Sequence, residues 1–357
     1  MTTVKAVMVR VSDPDPAVRR AAASELGKRR SPAAREALMG CLDHRDPEVR
    51  RVAGLALGQF ADLALAPLLI RSARLEKEPR AQLALWRSAA RVYRQRGRLE
   101  DIPRLAGYMA ESSFPDDAMG DVCSAALYVL AAHAEQLPSS LIGLLQAPAV
   151  LAFPLIQTAL QKAIATNASQ KLARALAPAY LDLLEEGGFE AYQPAFIEAL
   201  GNMREVRAIG SLLKRFEAAP SLQDKVLGAL SLIGVENLDP VMAAAVRLHE
   251  EIYFRTPSEE EFVTFFFESA QRLAAMGEAA VPVLMRLLDH PNGAMRQNAR
   301  FALEALREPG ALLSMLRIAG NRRDLAKTRL AWELVSRHHP DRSVKALAVD
   351  QLLADQD

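Results

Sequence analysis

The stretch DPEVRRVAGLALGQF, Asp46–Phe60, reads as a complete helix opening. Asp46 is placed to cap it, because a carboxylate there accepts from first-turn amides that no helical carbonyl reaches. Pro47 suits the first helical position, where its missing N–H is no loss. Glu48 favours the positive end of the helix dipole. Val49, Ala53, Ala56, Leu57 and Phe60 recur at three- and four-residue steps and form an apolar stripe whose small members let a neighbouring helix come close. The preceding segment SPAAREALMGCLDH, Ser31–His44, is a second amphipathic helix opened by Ser31 and Pro32, with Leu38, Cys41 and Leu42 on its inner face. Two such helices joined by a tight turn make a hairpin.

The pattern returns. DPAVRRAAASELGKR, Asp15–Arg29, precedes it, with Val18 lying 31 residues before Val49. EPRAQLALWRSAARV, from Glu78, continues it with Pro79 kept and Ala81-Gln82 in place of Val-Arg. NGAMRQNARFALEAL, Asn292–Leu306, repeats it late in the chain. A single hairpin cannot bury both faces, whereas stacked copies can, which is the physics of a solenoid.

These residues resemble the HEAT repeat family. The likeness is carried by the Asp-Pro-x-Val-Arg openings (Asp15, Pro16, Val18, Arg19; Asp46, Pro47, Val49, Arg50) and the looser Met295-Arg296. It covers residues 1 to roughly 95 and roughly 277 to 307. It implies that Arg19, Arg50 and Arg296 are scaffold parts, bonded to Asp residues along the stack. Repeats of about 31 residues look like a bacterial branch of short, Ala-rich repeats, as in the HEAT-like lyases that attach bilins to phycobiliproteins.

Periodicity extends the reading to an all-α chain, a right-handed α-solenoid of about ten helical hairpins. They are expected over 2–28, 31–60, 62–95, 98–134, 138–166, 168–201, 204–234, 236–276, 278–306 and 308–338. Pro154 should kink or break the second helix of the fifth. Glu185–Gly188 should turn the sixth. No linker divides the chain, so 1–357 is expected to be one continuous solenoid, with 341–357 as a terminal capping helix.

The chain is 50% apolar and can bury a large core, and only 6% aromatic, which suits helices packed through small side chains. The formal net charge of +1 draws it to neither nucleic acid nor membrane as a whole. Locally the balance shifts: residues 1–104 hold 21 Lys and Arg against 12 Asp and Glu, 105–270 hold 10 against 21, and 271–357 hold 13 against 10. Polarised stretches can meet partners of opposite sign, and drift among solvated faces gives the same pattern. Cys41 and Cys123 sit in helical runs without metal-ligand spacing, as buried thiols in a reducing compartment do. No apolar run is long enough for a signal peptide or membrane span, so a cytoplasmic location is expected.

Second helices usually line the concave side of such stacks. On the first three, Arg20, Lys28, Arg51, Arg87, Arg91 and Arg94 fall outside the apolar stripe and predict a basic groove. It would suit an acidic peptide or a phosphate backbone, and ordinary helix-surface arginine looks alike. Trp86, beside Arg87, is a candidate to stack a ligand or to plug the core. Ser258 and Glu261 form a capping box ahead of Phe262, Phe265 and Phe266, which share a face that Phe267 leaves. Phe267 is thus the candidate exposed anchor for a partner.

Catalytic patterns are sparse. HEAT-like alkylpurine DNA glycosylases set Trp and Asp together in the cleft; here the other Trp, Trp332, is far along the chain. HEAT-like deoxyhypusine hydroxylases bind two irons through several His-Glu pairs; this chain has one, His249-Glu250. His44 and His290 share a turn position, which predicts a capping role. No phosphate loop, catalytic triad order or Cys-x-x-Cys occurs, and no cofactor is expected. The sequence therefore predicts a non-enzymatic scaffold or adaptor binding a protein or peptide in its groove. Nucleic-acid binding or DNA repair, and a bilin-lyase-like helper role, are the alternatives. Oligomeric state is not readable.

Overall fold

The computed structural model describes residues 3–166, 170–254, 266–322 and 324–354. Among them there is no strand, and no helix is long and apolar enough to cross a membrane. The chain divides into two compact units, Met1–Glu186 and Gly187–Asp357.

The first unit begins with four hairpins: α1 (Val4–Val11) and α2 (Pro16–Arg29), α3 (Pro32–Gly40) and α4 (Pro47–Leu57), α5 (Ala66–Leu75) and α6 (Pro79–Arg96), α7 (Ile102–Met109) and α8 (Asp116–Ala132). Then come α9 (Leu137–Leu145), α10 (Pro148–Ala152), α11 (Pro154–Ala165) and α12 (Gln170–Glu186). As its sequence predicts, Pro154 breaks the run, and α11 starts on it. The second helices pack in series: α2 on α4, α4 on α6, α6 on α8. Val49, Ala53 and Leu57 are fully buried in those seams and Ala56 nearly so. Each buried Leu or Val contributes roughly 1.5–3 kcal/mol by leaving water.

Small residues set the spacing. A Cβ on Gly58 would sit 2.8 Å from Ser88 Cβ and 3.1 Å from its Cα, so α4 and α6 approach closely there. Gly58→Val should therefore cost about 2 kcal/mol, as overpacking does. A lowered urea midpoint at unchanged m-value would show it; an unchanged midpoint would mean the helices are farther apart.

The caps are those the sequence predicts. Asp15 Oδ1 accepts from Ala17 N at 2.8 Å, Asp46 Oδ1 from Glu48 N at 2.9 Å, and Ser31 Oγ from Ala34 N at 3.1 Å. The arginine four residues after each Asp cap does two jobs. Arg50 Nη1 donates to the carbonyls of His44 and Arg45 at 2.7 and 3.1 Å, closing its own turn. Its Nε and Nη2 donate to the Glu76 carboxylate of the next hairpin at 2.6 and 2.7 Å. Arg19 likewise holds the carbonyls of Asp13 and Pro14 and reaches Asp46 at 2.7 Å. Asp46 thus caps α4 with one oxygen and receives the preceding hairpin with the other.

The second unit contains α13 (Gln193–Asn202), α14 (Ile209–Ala218), α15 (Gln223–Ile233), α16 (Pro240–Phe254), α17 (Glu268–Ala275), α18 (Val281–Leu287), α19 (Gly293–Ala305), α20 (Pro309–Arg322), α21 (Leu325–His338) and α22 (Arg342–Ala354). Neighbours again pack in sequence, α13 on α15, α15 on α16, α20 on α21 and α21 on α22. Met295 is fully buried, and Arg296 Nη1 donates to the carbonyls of His290 and Pro291, both at 2.7 Å, the turn closure of Arg50 repeated. Three turns share one device: His44, His290 and His339 each accept the amide of the residue two ahead on Nδ1, at 3.0, 3.0 and 3.2 Å. The capping role expected of His44 and His290 is therefore present, with His339 as a third case. The expected box of Ser258 and Glu261, with Phe262 and Phe265, lies outside the described residues.

Candidate binding groove

Side chains of α2, α4 and α6 that point away from the seams form one strip. Arg20, Ser24 and Lys28 of α2 face Arg51 and Leu55 of α4 across a cleft of about 670 Å³. A second cleft of about 390 Å³ is lined by Arg87, Arg91 and Arg94 of α6, together with Asp121 of α8. Leu55 and Gln59 border both clefts and join them. The helical steps from Arg87 to Arg91 and Arg94 keep these guanidinium groups on one face, with the buried Ala90 among them in the cleft lining, and α8 packs against α6.

The cations are held in different ways. Arg51 Nε and Nη2 donate to Glu48 one turn back, at 3.1 and 2.9 Å. Arg87 Nε donates to Asp121 Oδ2 at 2.8 Å, both side chains about half exposed. The Arg94 guanidinium lies over the Tyr128 ring, 5.4 Å from its centroid. Lys28 and Arg91 make no side-chain hydrogen bond or ion pair among the described residues. Exposed pairs such as Arg87–Asp121 contribute little stability, roughly 0–1 kcal/mol, so an incoming anion exchanges them at small cost. Leu55 is 37% exposed and gives the strip an apolar contact.

Two sequence candidates do not belong to it. Trp86 is 1% exposed and packs on Phe114 and Tyr108, with ring centroids 4.6 and 6.4 Å away. It neighbours Arg87 in sequence, and one helical step of about 100° turns it from the groove into the seam. Phe267 is 4% exposed, not an exposed anchor; its amide donates to Asn298 Oδ1 at 2.9 Å as α17 begins. Phe267 sits at the extended N-cap position of α17 with its side chain buried, while Phe266 packs edge-on to Phe301 at 5.9 Å. Conversely, Leu55, Asp121 and Tyr128 border the strip without having been singled out in sequence. The available signal was an apolar residue off the stripe of α4 and the aligned face of the following second helix.

Other chemistry-bearing groups are structural. His249 Nε2 lies 3.3 Å from Asp224 Oδ1, whose carboxylate also accepts from Tyr253 Oη at 2.8 Å. Glu250 accepts from Ser231. Among the described residues no group of three His, Cys, Asp or Glu side chains is arranged to hold a metal ion. Both cysteines are free and buried, and burial pushes Cys41 to about 11 and Cys123 to about 12, which removes the thiolate at neutral pH.

The family described as HEAT repeats matches residues 4–113, which include α2, α4 and α6. No curated protein matches the sequence. Among solved structures, the complex of CpcE and CpcF of phycocyanin lyase from Nostoc sp. PCC7120 is similar at 19% identity. The match covers 71% of this chain and 95% of that one, with a TM-score of 0.32, a likeness too distant to bear on function.

Proposed function

We propose that the chain is a non-enzymatic scaffold or adaptor that docks an acidic protein segment on the second-helix face of its N-terminal repeats. The observation that carries this reading is the strip itself: Arg20, Lys28, Arg51, Arg87, Arg91 and Arg94 border two joined clefts with an exposed leucine between them. Charge complementarity of this kind gives on-rate and register, while an apolar contact gives affinity that salt does not screen. A peptide carrying both acidic and apolar side chains suits such a surface better than a uniform phosphate backbone does. The buried, free thiols agree with work in a reducing cytoplasm.

Fluorescence polarisation with a labelled peptide of Glu, Leu and Ala tests the reading. The triple variant Arg51→Ala, Arg87→Ala, Arg91→Ala should weaken binding at least about tenfold and flatten its salt dependence. Unchanged affinity would remove the groove assignment. A DNA duplex that binds more tightly than the peptide at moderate salt would favour nucleic acid instead.

A further inference from the structure

We propose that the smaller cleft is a phosphate-monoester site, so that the docked segment is recognised through a phosphorylated side chain. This inference deepens the docking reading and rests on it. Arg87, Arg91 and Arg94 line this cleft with a single carboxylate, Asp121, which leaves two uncompensated positive charges. A glutamate side chain or a phosphodiester brings one negative charge. A phosphorylated side chain brings close to two at neutral pH, on three acceptor oxygens. Only the last matches the cleft in charge.

The geometry agrees. Arg87 is positioned by Asp121 at 2.8 Å, and Arg94 by the Tyr128 ring at 5.4 Å. Arg91, between them along α6, makes no side-chain hydrogen bond or ion pair among the described residues. Arg94, fixed in advance by the Tyr128 ring, lowers the ordering cost of binding. Planar guanidinium groups meet phosphate oxygens in pairs. Leu55 borders the same cleft, so a peptide can add an apolar contact that inorganic phosphate cannot. Asp121 is the built-in competitor: the phosphate takes Arg87 from it.

The test uses the full chain and labelled peptides of Gly, Ser and Leu that differ at one position: phosphoserine, glutamate or serine. The phosphoserine peptide should bind at least about tenfold more tightly than the glutamate peptide. Arg91→Ala should abolish that preference. Asp121→Asn should tighten phosphoserine binding about threefold, and Arg300→Ala, in the second unit, should leave it unchanged. Equal binding of the phosphoserine and glutamate peptides overturns the phosphate assignment while leaving the docking reading standing. If a peptide with several glutamates also fails to bind, both fall. Displacement by single-stranded DNA at matched charge overturns the assignment in favour of a phosphodiester. An equal loss on Arg300→Ala overturns it as non-specific attraction.

Discussion

Glu76→Ala is expected to destabilise the first unit by about 3 kcal/mol, the cost of stripping one partner from a buried ion pair. The Glu76 side chain is 2% exposed and that of Arg50 21%, so the surviving guanidinium is only partly rehydrated. The loss is compounded because Glu76 Oε1 also accepts the amides of Lys77 and Glu78 at 2.9 and 3.0 Å, two hydrogen bonds that alanine cannot make. Urea unfolding should show the drop as a lower midpoint at constant m-value. Glu76→Gln keeps an acceptor for the amides and should cost less than Glu76→Ala. The Glu76 carboxyl sits below its ordinary value: burial alone would raise it, and the hydrogen bonds and charge of Arg50, with those amides, outweigh burial. A carboxyl shifted that way stabilises the fold above the usual carboxylate range and loses the contribution as pH falls through the lowered value. Glu76→Gln should therefore also blunt the acid limb of the stability curve. A midpoint unmoved by Glu76→Ala would mean that the Arg50–Glu76 link between hairpins carries no load.

The second large effect is carried by His290. Its ring is fully buried, its Nδ1 accepts the Asn292 amide, and its Nε2 has no hydrogen-bond partner among the described residues. Burial holds it at about 4, against an ordinary 6.5, with Asp224 opposing the shift and His249 and Arg296 adding to it. The unfolded chain binds a proton near 6.5 that the folded chain refuses until about pH 4. Stability should thus fall as pH drops through that window, by up to about 3 kcal/mol at its lower end. His290→Asn places an amide oxygen where Nδ1 accepts and removes the titration. It should flatten the slope between pH 6.5 and 4 in the second unit's unfolding, whatever it costs at neutral pH. An unchanged slope would mean the ring is protonated in the folded state.

The parts legible in sequence were those governed by local chemistry. Asp15, Asp46 and Ser31 cap because backbone amides at a helix start need acceptors nearby. Arg20, Lys28, Arg51, Arg87, Arg91 and Arg94 reach one strip because helical spacing decides which side charged residues occupy. Trp86 was ambiguous because size and identity do not say which side of a seam receives the ring, and Tyr108 and Phe114 arrive from later in the chain. Glu76 was hidden because the repeat suggests Glu78, aligned with Asp46, as the ladder partner. The structure instead splits Asp46's two jobs, with Glu78 capping α6 and Glu76 receiving Arg50. His339 carried a readable signal, His-x-Asp, matching His44-Arg45-Asp46 and His290-Pro291-Asn292.

Hydrogen exchange of the full chain, with and without a saturating Glu, Leu and Ala peptide, tests the docking surface most directly. Slowed exchange is expected to concentrate in α2, α4 and α6, the helices that carry the two clefts. Protection confined to the first helices α1, α3 and α5, or to the second unit, or no protection at saturation, would contradict it.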